Sequence, residues 1–337
     1  MKHTDFSFVF IFFLVFALIS GCGTEYQPSE EDKEDQEPQE ETNLPTTDAV
    51  AADANLDAVT WNLLGYGTGF TGPSDTLQQT KNIISVIDSL DADLYAFQEV
   101  AGQRDLDKIV DQMKEFKGFV TDFVPRSQKM AVAYNTNTID SLEAGSIKNV
   151  ANISNNDWSY YWASGRIPLY FRFNYTFGNT TKEFYAVVIH GKASAEYEAY
   201  QRRKKAAEGL YTYLQNNKPD ANIILLGDYN DDVDKSIYSS EDQNGNEVYQ
   251  QTPYYNFVND TQNFEVITKK FSDTDESASV NYSDIVDHIT MSDELSNLYV
   301  DNSTDIYKEP QSFITNYGTT TSDHLPVSAA FDITASN

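Results

Sequence analysis

The sequence predicts a protein of the α/β class, and three observations support this. Short aliphatic segments with strand character alternate with longer segments of helical spacing between residues 56 and 333. The run at 223–226 is wholly aliphatic, which is typical of a strand buried on both faces. No repeat and no long apolar span interrupts this region, whose length suits one large domain.

The first residues predict export from the cytoplasm. Lys2 and His3 precede an apolar run at 6–19, and small residues follow it, which is the pattern of a cleaved signal peptide at residues 1–21. Cys22 is the single cysteine of the chain and stands at the end of this pattern, which resembles a bacterial lipobox, where the cysteine becomes lipidated. An ordinary secretory signal with an incidental cysteine is the alternative. We expect a lipoprotein of the bacterial cell envelope, held on the membrane and facing outside the cytoplasm.

Residues 22–55 predict a disordered acidic tether, followed by a folded domain at 56–337. The stretch 29–41 carries eight acids and one lysine, and such a composition buries too little surface to fold. The formal charge of the chain is −29, and −22 remains without the −7 of this stretch. This charge argues against a basic nucleic-acid groove spread over the surface. It does not argue against a phosphodiesterase in which metal ions screen the site.

The domain opens with a strand, a helix and a second strand. The strand at 56–64 alternates polar and apolar residues and places Asn62 opposite its apolar face. The helix begins at the Pro-Ser-Asp sequence of residues 73–75 and ends near residue 90. The second strand, at 93–100, carries Glu99 near its end, and a carboxylate in this place is a candidate metal ligand.

The middle of the chain predicts two more helices and five strands. The helices are expected at 104–116 and 195–216, and the strands at 119–124, 130–135, 138–142, 166–175 and 183–190. Residues 135–137 predict a turn that joins two of these strands into a pair. The basic cluster 202–205 is interpreted as a solvated face of its helix.

The last third brings further polar residues to the ends of strands. The aliphatic run 223–226 leads directly into Asp228 and Asn230, and the Asn-Gly sequence at 244–245 predicts a hairpin or loop over the site. A short strand at 283–291 carries an Asp-His pair, and a second Asp-His pair at 323–324 precedes the last strand at 327–333.

Outside the signal peptide, three histidines remain, and each lies at a strand end beside acidic or glycine residues. One such histidine alone would most simply be structural. Together with the carboxylates and amides at the other strand ends, these groups suit a metal-assisted phosphoryl hydrolase, which needs oxygen ligands, a base for water and histidines near the phosphate. The set comprises Asn62, Glu99, His190, Asp228, Asn230, Asp287, His288, Asp323 and His324.

The motifs around these residues resemble, in identity and order, those of the endonuclease/exonuclease/phosphatase superfamily and its deoxyribonuclease-I-like members. The matching segments are WNL with Asn62, FQEV with Glu99, HGKA with His190, GDYND with Asp228 and Asn230, DHI with Asp287, and SDHLPV with Asp323 and His324. They extend over residues 58–331. The resemblance implies a four-layer α/β sandwich, with two mixed β-sheets packed face to face and helices on the outside.

The resemblance also implies a metal centre and a catalytic set. Glu99 would be the main ligand of Mg²⁺ or Mn²⁺, with Asp323 and Asn62 assisting and Ca²⁺ as an alternative second ion. Asp228 would orient or deprotonate the attacking water, and Asn230 would hold the phosphate or the nucleophile.

The same family pattern assigns the histidines and one arginine. Asp287 would fix the tautomer of His324, which faces the phosphate, and His190 resembles a second active-site histidine. Arg166 resembles a strand arginine that contacts the phosphate, for which a guanidinium is suited. The chain departs from the deoxyribonuclease pattern at 125–129, where the carboxylate expected to pair with His190 is missing or supplied from elsewhere.

These assignments predict a metal-dependent phosphodiesterase that acts on DNA or RNA as an endonuclease. A monomer without a protein partner is expected. Superfamily members also cleave lipid and sugar phosphates, so a sphingomyelinase-like or inositol-phosphatase-like enzyme is the first alternative. A surface binding lipoprotein that lost the chemistry is the second.

Overall fold

The structure is a computed structural model that describes residues 43–69, 71–121 and 128–335. The predicted signal peptide, the lipidation of Cys22 and most of the predicted tether lie outside these residues and stay predictions. Among the described residues, no helix is long and apolar enough to cross a membrane.

Fourteen strands and eight helices are found in these ranges. The strands are β1 (Asn55–Tyr66), β2 (Leu94–Val100), β3 (Phe116–Val120), β4 (Lys129–Asn135), β5 (Ile139–Ser146), β6 (Leu169–Phe177), β7 (Thr180–His190), β8 (Ile223–Asp228), β9 (Ser239–Glu241), β10 (Glu247–Tyr249), β11 (Phe264–Val266), β12 (Asp287–Ser292), β13 (Asp305–Ile306) and β14 (Val327–Asp332). The helices are α1 (Thr76–Leu90), α2 (Gln103–Val110), α3 (Asn155–Tyr161), α4 (Tyr197–Asn217), α5 (Tyr255–Asn259), α6 (Lys269–Ser272), α7 (Pro310–Phe313) and α8 (Tyr317–Thr320).

Two six-stranded mixed sheets form the core of the domain. The first has the order β13-β14-β1-β2-β4-β3 and the second β11-β12-β8-β7-β6-β5, while β9 and β10 pair by themselves. In each sheet one central pair is parallel, β1 with β2 and β7 with β8. The predicted four-layer α/β sandwich is confirmed.

Strand β8 shows how the layers are held together. Its Ile224 and Leu226 belong to the core between the two sheets, whereas Ile223 and Leu225 pack in a second core with residues of α4 such as Leu210. Side chains that alternate between two apolar cores explain why the run lacks polar residues. Its Gly227 approaches β7 so closely that an added Cβ would lie 2.1 Å from the Ile189 carbonyl oxygen.

Two predictions about elements are wrong, and one helix was missed. The strands β4 and β5 do not pair around the turn at 135–137, because they belong to different sheets and the chain crosses the sandwich there. The helix predicted at 104–116 ends at Val110, and β3 begins at Phe116. Helix α3 was not predicted, and its Trp158 is buried against the outer face of the second sheet.

The folded domain also begins earlier than residue 56. Leu44 packs against the core between the sheets, and the Thr47 amide donates to the Gln112 carbonyl at 2.9 Å. The segment from residue 43 therefore belongs to the domain, and the predicted tether was drawn too long at this end. The hairpin predicted from the Asn-Gly sequence at 244–245 is confirmed by the pair β9–β10.

Candidate active site

The predicted site residues meet at one edge of the sandwich because of how the strands run. The parallel strands β1 and β2 in one sheet, and β7 and β8 in the other, all end there, and β12 begins there. The register places His190, Asp228 and Asp287 side by side on three neighbouring strands. A cavity of about 640 Å³ opens between these ends, a volume typical of small-molecule sites.

Glu99 occupies an unusual backbone position at the end of β2. Its φ of 61° lies in the left-handed region that residues other than glycine rarely adopt, and such strain often marks functional positions. Burial and the nearby Asp228 carboxylate raise the pKa of Glu99. Arg166, His324 and the Asn62 side chain oppose this rise, so the charge of Glu99 is partly compensated within the protein.

Asp228 lies at the centre of the site and makes two hydrogen bonds. The Asn62 amide donates to its Oδ2 at 3.0 Å, and the Asn230 backbone N–H donates to its Oδ1 at 2.8 Å. Burial raises the pKa of Asp228 to about 6, where the Asp287 carboxylate adds to the rise and His324 opposes it. Asn62 thus contacts Asp228 directly, as well as lying beside the predicted metal ligands.

Asp287 and His324 form a buried pair. The His324 Nδ1 lies 2.7 Å from Asp287 Oδ2, which assigns the proton to Nδ1 and leaves Nε2 for the cavity. Burial of the imidazole opposes its charge, but the carboxylates of Asp287, Asp228 and Asp323 raise the pKa of His324 to about 10. At neutral pH this imidazole is therefore a cation.

The backbone of His324 is fixed on three sides. Its carbonyl accepts from Trp61 Nε1 at 3.0 Å and from the Tyr317 hydroxyl at 2.7 Å, and its N–H donates to the Ser322 hydroxyl at 3.0 Å. Trp61 comes from β1, far away in the sequence, whereas Tyr317 and Ser322 lie shortly before His324, so a distant contact and two local contacts together hold this backbone.

His190 is neutral, for a reason that the sequence did not indicate. The Arg166 Nη1 lies 2.9 Å from its Nε2 and 3.1 Å from its Nδ1, while the nearest carboxylate oxygens, of Asp228 and Glu99, are 3.4 and 3.6 Å away. Burial, followed by the charge of Arg166, lowers the pKa of His190 well below its usual value. His190 is therefore in contact with an arginine, and the carboxylates near its ring come from other segments than 125–129, namely from Asp228 and Glu99.

Arg166 does not lie in a strand, in contrast to the prediction. It precedes β6 by three residues, in a loop. Its Nη2 donates to the Gly191 carbonyl at 2.5 Å, its Nη1 faces His190, and its buried Nε has no hydrogen-bond partner among the described residues. Both terminal nitrogens are thus engaged by the protein at the cavity wall.

Asn230 and Asp323 complete the predicted set. Asn230 lines the cavity with a φ of 53° and its amide lies 3.4 Å from the Gly191 carbonyl. Asp323 also lines the cavity, and its buried Oδ1 has no hydrogen-bond partner in the part of the chain that is described. His288 is not part of the cavity, because its Nδ1 contacts the Thr268 hydroxyl in the interior.

The donors around the cavity suit a divalent cation. Carboxylate oxygens are the ligands that Mg²⁺ and Mn²⁺ prefer. The Asp323 Oδ1 has no hydrogen-bond partner among the described residues, and the charge of Glu99 is only partly compensated by its neighbours. Asp228, Asp287 and His324 also offer three ligand atoms within 4.8 Å of one another. Since Asp287 and His324 are bonded to each other, Glu99 and Asp323 are the freer ligands.

The prediction that the basic cluster on α4 faces solvent is wrong for its two arginines, which are buried, whereas Lys205 is exposed. Arg203 is fully buried, and its Nε donates to Asp231 Oδ2 at 2.7 Å. Its Nη1 donates to the carbonyls of Lys192 and Ser194 at 2.6 and 2.8 Å. Arg203 thereby joins the loop after His190 to the loop after Asn230.

Asp231 extends this network, which no motif in the sequence indicated. Its Oδ2 also accepts from the Ser236 hydroxyl at 2.9 Å, and its Oδ1 accepts from the Ile237 N–H at 2.7 Å. Lys192, Ser194 and Ile237 line the cavity. The buried Arg203–Asp231 pair therefore fixes one wall of the site, and a burial pattern along α4 with a three- to four-residue period was the available signal.

The sequence model of the Endonuclease/Exonuclease/phosphatase family matches residues 59–324. A comparison with curated proteins finds no match. Among solved structures, the human Nocturnin catalytic domain is similar with a TM-score of 0.56 and 17% identity, covering 82% of this chain and 93% of that chain. D. rerio TDP2 gives a TM-score of 0.56 and 13% identity, covering 83% and 99%.

A mannosyl-6-phosphatase of Bacteroides thetaiotaomicron VPI-5482 has a TM-score of 0.51 and 15% identity, covering 81% of this chain and 98% of that chain. At these identities the structural likeness shows the fold, while the sequence match extends from the first site strand to His324. The chain therefore belongs to the Endonuclease/Exonuclease/phosphatase family, a family of hydrolases acting on phosphoester bonds.

Proposed function

We propose that this protein is a divalent-metal-dependent phosphoesterase that cleaves its substrate with a water molecule. The arrangement around His324 carries the proposal: its Nδ1 is bonded to Asp287, and its Nε2 lies 3.9 Å from Asp323, whose Oδ1 lacks a hydrogen-bond partner among the described residues. A proton donor, the Asp228 base and cation ligands thus surround one cavity, as phosphoryl transfer to water requires.

Glu99 and Asp323 would hold the cation, with the Asn62 side chain next to them. A bound Mg²⁺ or Mn²⁺ supplies Lewis acidity at the phosphoryl oxygens. The carboxylates offer the negative charge that this ion needs. Burial raises the pKa of Glu99, and a bound cation would oppose this rise by stabilising the charged form. Ca²⁺ as a second ion stays part of the proposal.

Asp228 and Asn230 would act on the nucleophile. Asp228 has a pKa of about 6, so at neutral pH its carboxylate can orient a water molecule and accept its proton. Asn230 offers its amide from the same loop. The water oxygen forms the new bond to phosphorus and its proton passes to Asp228. The ester oxygen leaves with the bonding pair and takes up a proton from solvent, so that the alcohol and the phosphate are the products.

The two histidines would act on the phosphate in different charge states. His324, held as an imidazolium by Asp287, donates a charge-assisted hydrogen bond to a phosphoryl oxygen. His190 is neutral and is ordered by Arg166, whose terminal nitrogens contact its ring and the Gly191 carbonyl. We propose that Arg166 supports phosphate binding through His190 and through its own charge.

The sequence predicted a nucleic-acid strand as the substrate, and this is the first candidate. D. rerio TDP2 is described with a single strand DNA product, while another structural neighbour is a mannosyl-6-phosphatase. The fold therefore accommodates both substrate classes. The charge of −29 favours a compact ester with few phosphates, which is the second candidate, because an acidic surface repels a polyanion.

We also propose that the protein acts as a monomer, lipid-anchored through Cys22 to the bacterial cell envelope and facing outside the cytoplasm. The lipobox-like end of the apolar segment supports the anchor. Detergent partitioning of the full chain and of Cys22→Ala tests it: the wild type is expected in the detergent phase and the variant in the aqueous phase.

The catalytic proposal is tested with the full chain against plasmid DNA, single-stranded DNA and RNA, sphingomyelin, and sugar and inositol phosphates. Hydrolysis should require Mg²⁺ or Mn²⁺ and stop with EDTA. Asp228→Asn and His324→Ala should each remove most activity, whereas Asp301→Asn, at an exposed carboxylate, should not. Unchanged metal-dependent hydrolysis in both site variants would show that the assignment is wrong.

A further inference from the structure

One wall of the cavity is formed by the segment that enters β12. Tyr282, Asp284 and Val286 of this segment all line the cavity. Tyr282 is 61% exposed, and such an aromatic ring at the mouth of a catalytic cavity is available for stacking. None of these side chains takes part in the proposed chemistry.

This wall is held in place by its backbone. The Val286 carbonyl accepts from the Tyr229 N–H at 2.7 Å, and the Asp284 carbonyl accepts from the Ser277 hydroxyl at 3.3 Å. The Ile285 carbonyl lies 3.1 Å from His288 Nε2. The Tyr282 and Asp284 side chains are thus presented by an anchored segment, and anchoring reduces the entropy lost when a ligand binds.

The charges around the cavity limit what can lie against this wall. Among the described lining residues, the cationic side chains besides histidine are Arg166 and Lys192. Arg166 is engaged by His190 and Gly191, and the Lys192 ammonium donates to the Ala193 carbonyl. Both cations thus contact protein groups, so the described lining offers little free positive charge to a substrate with several phosphates.

Asp284 adds a further carboxylate to the lining of the cavity. A second phosphate beside Tyr282 would face this carboxylate and be repelled. A carboxylate is a strong acceptor for uncharged hydroxyl donors, so a neutral, hydroxylated group is compatible with the wall where a polyanion is not. The aromatic ring and the carboxylate together match a ring that has an apolar face and hydroxyl groups at its edge.

We infer that Tyr282 and Asp284 form the subsite for the alcohol part of the substrate, and that this part is an uncharged, hydroxyl-bearing ring carrying one phosphate. The inference rests on the proposed function and selects its second candidate. The cavity of about 640 Å³ accommodates a sugar or cyclitol monophosphate within the range of small-molecule sites. The ring stacks on Tyr282 and donates hydroxyl hydrogens to Asp284, while the phosphate lies at Asp228 and His324.

The kinetic test compares hexose and inositol monophosphates with glycerol phosphate, which lacks a ring, and with a single-stranded oligonucleotide. The wild-type full chain should hydrolyse the ring phosphates with a kcat/KM about tenfold or more above glycerol phosphate, a factor worth about 1.4 kcal/mol. Tyr282→Ala and Asp284→Ala should each lower kcat/KM for the ring phosphates about tenfold by raising KM, so that the preference over glycerol phosphate is lost. Tyr255→Ala, at another exposed tyrosine, is the matched control.

A binding measurement separates the inference from the proposed function. Calorimetric titration of the chain with hexose and inositol monophosphates in Ca²⁺ should show binding that Tyr282→Ala weakens about tenfold. Such binding without hydrolysis under any metal would refute the function and keep the subsite. Preferential cleavage of the oligonucleotide, made faster by Asp284→Asn, would overturn the subsite and keep the function, as would ring phosphate binding that neither variant changes.

Discussion

Two carboxylates lie at opposite ends of strand β2, and the protein supplies hydrogen-bond donors much more fully to one of them than to the other. Asp93, before the strand, accepts from the Thr138 hydroxyl at 2.7 Å, the Asn135 amide at 3.1 Å and the Tyr175 hydroxyl at 3.2 Å. Glu99, near its end, accepts a long hydrogen bond from the Gln128 amide at 3.5 Å and has a left-handed φ of 61°.

The supply of hydrogen-bond donors thus distinguishes Asp93, which has a structural role, from Glu99, which belongs to the candidate site, without reference to any motif. At Asp93 the fold supplies donors for a charge that burial disfavours, so the residue links β2 to β5 and β6. At Glu99 the fold buries the carboxylate, places Asp228 near it and leaves it short of donors, which is tolerated only where an external group completes the site. Substitutions at the two ends should therefore have opposite effects on activity and stability.

The largest effect on activity is expected at Glu99, at the end of β2 that lies at the cavity. Glu99→Gln should lower kcat/KM by about a thousandfold, or about 4 kcal/mol, because a neutral amide is a poor ligand for a divalent cation. The free energy of unfolding should stay equal or rise, since a buried like-charge interaction with Asp228 is removed. Metal-dependent hydrolysis and denaturant unfolding measure the two quantities, and Glu265→Gln on the exposed face of β11 is the control. A variant that keeps activity and unfolds more easily would place Glu99 with the structural acids.

Breaking the Arg203–Asp231 pair should lower both stability and activity. Arg203→Met leaves the buried Asp231 carboxylate without its cation, and a loss of about 3–5 kcal/mol in the free energy of unfolding is expected. Activity of the folded protein should also fall, because the loops that carry Lys192 and Asn230 lose their common anchor.

A double variant separates these two effects. Arg203→Met with Asp231→Leu removes both charges and should recover much of the stability lost in the single variant. Since the carbonyls of Lys192 and Ser194 still lack their donor, kcat should stay low in the double variant. Full recovery of kcat together with stability would show that the pair only supports the fold.

At Asp93, at the other end of β2, we expect a large change in stability and little change in activity. Asp93→Ala removes an acceptor shared by several buried donors, and a loss of about 2–4 kcal/mol in the free energy of unfolding is expected. The kcat/KM of the folded protein should change less than twofold, because Asp93 lies at the end of β2 away from the cavity. Thermal unfolding and hydrolysis below the transition test this pair of outcomes, and a large loss of activity at full stability would contradict it.

The same contrast explains what the sequence could predict. Motifs identify residues whose chemistry is unusual for their position, so Glu99, Asp228 and His324 were assigned before the structure was known, and the alternation of strands and helices was enough for the fold class. The partner of Asp287 also followed from family order. These predictions depend on residues near each other in sequence or on a shared pattern.

Predictions failed where the outcome depends on contacts between distant segments. Arg203 looks like a solvent-exposed cation until Asp231 and two carbonyls surround it. The turn at 135–137 is compatible with a hairpin, and only the choice of sheet for β5 excludes one. The ring of His190 contacts Arg166, from a loop before β6, and the nearby carboxylates come from Glu99 and Asp228, a combination for which no local signal exists.

The smallest expected effect is a pH dependence of stability that arises from the acids near Asp93. Burial, followed by the charges of Asp93, Asp53 and Asp91, raises the pKa of Asp57 to about 7. Because this is above the usual value of 3.8, the folded state binds more protons than the unfolded state between these values. The stabilising contribution is present at low pH and is lost as pH rises through about 7. The Tm should therefore fall by a few degrees more between pH 5.5 and 8 in the wild type than in Asp57→Asn, with Asp301→Asn behaving like the wild type. Identical pH dependence in all three proteins would mean that neighbouring groups stabilise the Asp57 carboxylate as fully as the hydrogen-bond donors around Asp93 stabilise that residue.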